Sequence, residues 1–220
     1  NRLFPEAMDI VFDGDKLFTG SDDGCLYQWN LDKDEPVMTY LSSAGTVRKL
    51  ALSENFIAAA CNDKFVHVHF RDSGVSQWNF VHNEKDVREV RISKDETRLW
   101  SATDNGTIYC FSLLTGELIY RRRIHPLWIW SLALGNNGKI LISGSGDGSV
   151  AFLNSATGSL LARLYNLAGS PDLLITCPPD NTFPAGFFYS ANKDLISVLQ
   201  EDRGKNILKE LEMNDPEREA

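Results

Sequence analysis

Residues 123–160 read RIHPLWIWSLALGNNGKILISGSGDGSVAFLNSATGSL, and this stretch decides the fold. Residues 129–134 alternate and are rich in aromatic and aliphatic side chains, as a half-buried strand requires. Asn136-Asn137-Gly138 breaks that run, and residues 139–143 form a second apolar one. Ser145-Gly146-Asp147-Gly148 turns the chain, residues 150–153 form a third run, Thr157-Gly158 turns it again, and residues 160–165 form a fourth. Four short strands joined by tight turns predict one antiparallel sheet.

The unit repeats. Its turn, Ser143-Gly144-Ser145-Gly146-Asp147-Gly148, overlays Thr19-Gly20-Ser21-Asp22-Asp23-Gly24, Ala59-Ala60-Cys61-Asn62-Asp63-Lys64 and Ser101-Ala102-Thr103-Asp104-Asn105-Gly106. A fainter copy is Tyr189-Ser190-Ala191-Asn192-Lys193-Asp194. These copies start at 19, 59, 101, 143 and 189, and such spacing matches the period of about 40–45 residues of four-stranded propeller blades. First strands are expected at 8–12, 47–52, 87–92, 129–134 and 173–177, and second strands at 17–19, 56–59, 98–101, 140–143 and 187–189. Third strands fall at 25–30, 65–70, 107–112, 149–154 and 195–200, and outer strands at 37–40, 76–81, 118–121, 160–165 and 206–211. The expected fold is an all-β propeller of four-stranded antiparallel blades with five repeats visible: about 7–41, 42–81, 82–122, 123–166 and 167–212. Residues 213–220 are read as an acidic exit tail or linker.

The repeating unit resembles the WD40 family, well over residues 7–165 and poorly beyond. His125 ahead of Leu127-Trp128-Ile129-Trp130-Ser131-Leu132 looks like the histidine that leads into a WD40 first strand, and His82 ahead of Asp86-Val87-Arg88-Glu89-Val90 is a looser copy. The family's turn acid falls on Asp23, Asp63 and Asp147, with Asn105 and Lys193 in the other copies. Its third-strand tryptophan falls on Trp29, while His69, Phe111, Leu153 and Leu199 fill that slot elsewhere. The Trp-Asp pair itself is absent, because the slot after the tryptophan holds Asn30, Phe70, Ser112, Asn154 and Gln200. The resemblance implies a buried structural network in which His125, Ser143 and Asp147 form the fullest set, with His82, Asp23, Asp63, Asn105 and Trp29 as partial ones. WD40 propellers most often close with seven blades. A five-bladed ring, a ring completed by another chain, and the last blades of a larger propeller all remain open, and the third is favoured. The irregular last unit is similar to the end segment of some prokaryotic WD40 regions in multidomain proteins, which sit in some cases beside caspase-like or signalling modules.

Composition bounds the function. The chain has 220 residues, 43% of them hydrophobic, with 22 basic and 30 acidic side chains and a formal charge of −8. That sign disfavours non-specific binding to nucleic acid. No run approaches the ~18 apolar residues of a membrane span, and residues 1–12 lack signal-peptide character, so a cytoplasmic protein without a membrane partner is expected. Cys25, Cys61, Cys110 and Cys177 are scattered and make no C-x-x-C pair, which predicts free thiols.

Catalytic motifs are missing. Gly144, Gly146 and Gly148 match neither phosphate-loop nor dinucleotide spacing, and no G-x-S-x-G elbow occurs. His67 and His69 share one side of a strand, as paired metal ligands can, but His69 stands in the slot of Trp29 and reads as core. No metal or cofactor is expected. Binding is the better-supported activity, because alternate residues of the first strands converge on one surface of a propeller. Arg48, Arg88 and Trp130 align there, with Trp128 two residues earlier. The expected function is a non-catalytic interaction or sensor scaffold for signalling or assembly. It would hold a protein or peptide, or another domain of the same chain, on its upper rim. A propeller enzyme with a central-channel site and a regulatory cap for a fused effector domain are the alternatives.

Overall fold

The structure is a computed structural model that describes residues 5–32, 35–42, 45–82, 85–166, 173–178, 187–190, 198–202 and 205–209. Its first sheet contains β1 (Ala7–Asp13), β2 (Lys16–Ser21), β3 (Cys25–Asn30) and β4 (Pro36–Ser42). The second contains β5 (Val47–Leu52), β6 (Phe56–Cys61), β7 (Phe65–Phe70) and β8 (Ser76–Val81). The third contains β9 (Val87–Ile92), β10 (Arg98–Thr103), β11 (Thr107–Ser112) and β12 (Leu118–Arg123). The fourth begins with β13 (Ile129–Gly135), β14 (Ile140–Ser145), β15 (Ser149–Asn154) and β16 (Leu160–Asn166). Each is an antiparallel meander, and the first strands β1, β5, β9 and β13 lie side by side in that order. This is the blade architecture of a WD40-type β-propeller.

Burial follows the period of two that a strand imposes. On β6, Ile57, Ala59 and Cys61 pack toward the first blade with Phe18, Leu26 and Tyr40. Ala58 and Ala60 pack the other way, with Val87, Val90, Leu99 and Phe111 of the third blade. A third cluster joins Trp100, Ile108 and Tyr120 to Ile129, Leu132, Leu141 and Leu153. All three apolar clusters therefore lie between neighbouring blades. The run of small residues on β6 lets both neighbours approach closely.

The second-to-third strand turns explain the repeated signature. Asp23, Asp63 and Asp147 each accept the backbone N–H two residues on, from Cys25, Phe65 and Ser149, at 2.9, 3.0 and 2.8 Å. The next residue turns left-handed: Gly24, Gly106 and Gly148 have φ of +83°, +78° and +82°, and Lys64 stands in the same slot at +73°.

The fifth repeat is arranged differently from the expectation. β17 (Leu173–Cys177) pairs antiparallel with β16, and β18 (Phe187–Ser190) pairs with β17, so the fourth sheet runs to six strands. The repeat had placed these segments as the first two strands of a fifth sheet. β16 offers a free edge of unpaired N–H and C=O groups, and β17 follows closely enough in the chain to fold back on it. β19 (Val198–Asp202) and β20 (Lys205–Lys209) form a separate hairpin. The faint turn at 191–194, the start of the expected third strand and the acidic tail at 213–220 lie outside the described residues.

The turn glycines differ in their surroundings. A Cβ on Gly106 would lie 2.0 Å from the carbonyl oxygen of His125, whereas one on Gly148 would meet nothing within 4 Å. Gly148→Ala should cost the left-handed penalty alone, about 1–2 kcal/mol. Gly106→Ala should cost roughly 1–3 kcal/mol more through the backbone clash. Urea denaturation of the two variants checks this, and equal losses would contradict it.

Candidate functional site: the bulged face of the inner strands

Each inner strand carries a β-bulge at its second residue. Ala7 and Asp9 pair with successive partners Ser21 and Gly20, leaving Met8 extra. Val47 and Lys49 leave Arg48, Val87 and Glu89 leave Arg88, and Ile129 and Ser131 leave Trp130. A bulge unpairs one residue and re-aims its side chain. Four adjacent blades thus present Met8, Arg48, Arg88 and Trp130 at one structural position. The strand starts and the second-to-third strand turns lie at the same end of the sheets, so these residues occupy one face.

Their surroundings join them into a strip. An Arg48 nitrogen lies 4.0 Å from Asp86 Oδ2, on the segment leading into β9, and Arg48 Nε is buried with no hydrogen-bond partner among the described residues. Arg88 Nε donates to Asp104 Oδ1 in its own blade's turn. The Arg88 guanidinium also lies 4.9 Å from the centre of the Trp130 ring in the next blade. Trp130 meets Trp128 edge-on, with ring centres 5.8 Å apart. These tryptophans do not fill the core: Trp130 is 57% exposed and Trp128 38%. Trp128 is seated on Gly146, where a Cβ would lie 2.2 Å from its indole nitrogen, and its carbonyl accepts from Ser145 Oγ and Gly146 N–H. The partly exposed Arg–Asp pairs contribute little to stability.

Beneath the strip, the post-bulge residues face one another between blades. Asp9 accepts Lys49 Nζ at 2.7 Å and the Leu50 N–H at 2.8 Å. Glu89, almost fully buried, accepts Arg91 at 2.7 Å and the Leu132 N–H. Burial pushes the Glu89 carboxyl up, opposed mainly by Arg91. Asp9 is held by a cation and the backbone of the next inner strand, and Glu89 by Arg91 of its own strand and the backbone of the next one.

The histidine networks sit at the same end. In the fourth blade His125 Nε2 lies 2.9 Å from Ser143 Oγ and Nδ1 lies 3.0 Å from Asp147 Oδ2. Ser149 Oγ donates to Asp147, and Arg163 donates to Ser149 Oγ and to the Ile124 carbonyl. Burial lowers the His125 pKa against the pull of Asp147, and hydrogen bonds to Asp147, led by Ser149, outweigh its burial and hold that carboxyl low. Sequence reading missed Arg163. Its signal is positional, since it stands opposite Ala151, whose small side chain leaves room for a guanidinium.

The other blades carry fragments. His82 donates from Nδ1 to the Phe80 carbonyl and meets Ser101 Oγ at 2.6 Å, while Asn105 accepts from Thr103 Oγ1 at 2.7 Å. In the first blade Trp29 donates to Thr19 Oγ1 at 2.8 Å, and Asp23 accepts from Tyr27 at 3.0 Å. In the second, Asp63 lies 2.9 Å from His67 Nε2. His69 is buried against Tyr40 and faces the Gly74 carbonyl, away from the His67 contacts. Cys25, Cys61, Cys110 and Cys177 form no disulfide, and burial pushes the Cys110 thiol up to about 12.

His82 generates a pH dependence. Burial takes its pKa from 6.5 down to about 4, so its neutral form stabilises the fold above the unfolded value and that contribution is lost as pH falls toward 4. The full loss is about 3 kcal/mol. His82→Phe should flatten the fall in stability between these pH values, read by urea unfolding across the range. An unchanged slope would place the acid sensitivity on other groups.

Comparisons with known proteins agree with this architecture. The family model for the WD domain, G-beta repeat, matches residues 6–30 and 116–152. WD repeat-containing protein 90 of Xenopus tropicalis is 31% identical over 85 residues, 39% of this chain and 5% of that protein. Eukaryotic translation initiation factor 3 subunit I of Sclerotinia sclerotiorum is 26% identical over 216 residues, 90% of this chain and 62% of that protein. The WD repeat-containing protein 91 homolog of Dictyostelium discoideum is 22% identical over 207 residues, 81% of this chain and 27% of that protein. The chain therefore spans less than two thirds of these relatives' lengths. Among solved structures, the Mitotic Checkpoint Complex contains a chain with a TM-score of 0.67 at 15% identity, covering 95% of this chain and 65% of that one. The computationally designed Ika4 protein has a TM-score of 0.62 at 21% identity, covering 68% of this chain and 91% of that one. The repeated blades, the Asx-turns and the histidine network agree with these likenesses, which support WD40-type repeats in this chain.

Proposed function

We propose that this chain is a non-catalytic protein-interaction module that holds a partner segment on the strip formed by Arg48, Arg88, Trp130 and Trp128. The observation that carries this reading is the shared bulge, which turns residues from adjacent blades onto one face. Exposed tryptophans offer large rigid contact area, and guanidinium groups offer several donors, so both concentrate binding energy. The partner chemistry follows from the order along the strip. A carboxylate of the partner replaces Asp86 or Asp104 on the arginines and can meet the unpartnered Arg48 Nε, while a neighbouring apolar side chain packs on Trp128 and Trp130. A flexible acidic segment punctuated by apolar residues fits this pattern.

Other observations favour binding over chemistry. Asp9, Lys49, Glu89 and Arg91 on the inner strands are engaged with one another or with backbone N–H groups, which suits rigidity more than proton transfer. The similar initiation factor chain is named as a subunit, so that relative works within an assembly.

Panning a displayed library of random peptides against the full chain tests the reading. Selected peptides should pair Asp or Glu with aromatic or aliphatic residues and should bind more weakly as salt rises. Combined Arg48→Ala, Arg88→Ala and Trp128→Ala should weaken their affinity, measured by fluorescence anisotropy, by roughly a hundredfold or more while far-ultraviolet circular dichroism is retained. Peptides that bind the triple variant as tightly as the unaltered chain would overturn the assignment.

A further inference from the structure

The second blade differs from its neighbours at the positions that flank the turn acid. The slot of Cys61 holds Ser21, Thr103 and Ser145 in the other blades, and the slot of His67 holds Tyr27, Tyr109 and Ala151. No histidine occurs between residues 36 and 46 ahead of β5, so nothing comparable to His125 reaches Asp63 from that side. Cys61, Asp63 and His67 instead gather on one hairpin, with their donor atoms all within 4.8 Å of one another. We propose that this hairpin binds a divalent transition-metal ion, zinc by its donor set, through Cys61 Sγ, one Asp63 carboxylate oxygen and His67 Nε2.

The hydrogen bonds around the cluster divide as a metal site requires. Asp63 Oδ1 is used by the turn, where it accepts the Phe65 N–H at 3.0 Å, and this leaves Oδ2 beside the imidazole at 2.9 Å. His67 Nδ1 lies 2.7 Å from Oδ1 of Asn79, its cross-strand neighbour on β8. A carbonyl oxygen only accepts, so Nδ1 carries the ring proton and Nε2 of the neutral imidazole presents a lone pair. That lone pair faces a carboxylate oxygen, which also only accepts. A cation placed between them, a proton or a metal ion, resolves the conflict. Metal-bound histidines are characteristically held this way, with the far nitrogen donating to a carbonyl or carboxylate that fixes the tautomer.

The third donor completes the chemistry. Cys61 Sγ lies 3.8 Å from the Ala59 carbonyl, a weak contact for a thiol. As the metal–sulfur bond forms, the thiol proton passes to solvent and the thiolate joins an imidazole and a carboxylate, a mixed set suited to zinc. Bonds of about 2.0–2.3 Å imply donor separations of roughly 3.3–3.8 Å, within reach of small side-chain rotations. Cys61 is buried, while the Asp63 and His67 side chains are 17% and 13% exposed, so the ion reaches the cluster from the turn side and a solvent molecule or partner group takes the fourth position.

Titration of the full chain with zinc against a chromophoric chelator tests the proposal. One equivalent should bind with a dissociation constant of about 1 μM or tighter, and cobalt in its place should show visible d–d bands with a thiolate charge-transfer band. Cys61→Ser and His67→Tyr install the residues that the first blade carries at the same slots, so each variant should fold. Each should weaken zinc binding by at least a hundredfold, and Asn79→Ala should weaken it by about 10–100-fold. No zinc bound at saturating concentration, a cobalt complex without the thiolate band, or ligand variants that bind as tightly as the unaltered chain would each overturn the proposal.

Discussion

A four-stranded sheet of this kind has two apolar faces and can bury neither by itself. Every other feature of the molecule answers that constraint. Among the described residues, each apolar cluster draws its members from two neighbouring blades, so the alternation along a strand such as β6 serves two interfaces at once. Stacking of this type makes the stability of one blade depend on its neighbours. Aromatic side chains of the outer strands add a repeated tie: Tyr40 donates to the Arg71 carbonyl, Trp78 to that of Leu113 and Tyr120 to that of Ser155. Each acceptor is the first residue after a third strand of the following blade. The same hydrogen bond thus recurs across three successive interfaces and fixes how deeply one sheet seats on the next.

Polar groups carry out the complementary task at the other edge of the blades. His125 and His82 lie on segments that lead into inner strands, and their contacts to Ser143 and Ser101 pin those segments onto the second strands. Such groups are costly to bury unless every donor and acceptor is met. The fourth blade meets them with Asp147, Ser149 and Arg163, and the third uses a backbone carbonyl and the edge of Tyr109. Asp9 and Glu89 extend the principle to the inner strands, since each carboxylate accepts a backbone N–H of the following blade. The first blade closes its own network through Trp29 and Tyr27. The fold therefore tolerates different polar solutions at one site.

Much of this was legible in the chain. The spacing of the turn motif, with Asp23, Asp63, Asn105 and Asp147 each followed by a left-handed residue, placed four sheets, because an acid or amide ahead of a left-handed residue specifies a turn locally. The pairing of His125 with Ser143 and Asp147 was legible for the same reason. The arrangement of 173–177 was not, since strand pattern reveals the presence of a strand but not which edge it joins. Neither was Arg163, which acts through the gap that Ala151 leaves opposite it. Aligning Arg48, Arg88 and Trp130 identified equivalent positions, but the bulge that exposes them leaves no mark in an alternating pattern.

That bulge connects the packing constraint to the proposed binding face. The residues on either side of it, Val47 and Lys49, Val87 and Glu89, or Ile129 and Ser131, must keep their register, because Leu50, Val90 and Leu132 beyond them fill the interfaces between blades. The extra residue is released from pairing by the same stroke. It contributes nothing to the ladder, so its identity is free to vary while the blade stays intact, and it does vary: Met8, Arg48, Arg88 and Trp130 share one backbone position and differ in chemistry. A scaffold whose interfaces are fixed by the neighbouring residues can in this way carry a surface that is set almost independently. The cation–π contact between Arg88 and Trp130 shows the limit of that independence, because bulged residues of adjacent blades come near enough to act on one another as well as on a partner.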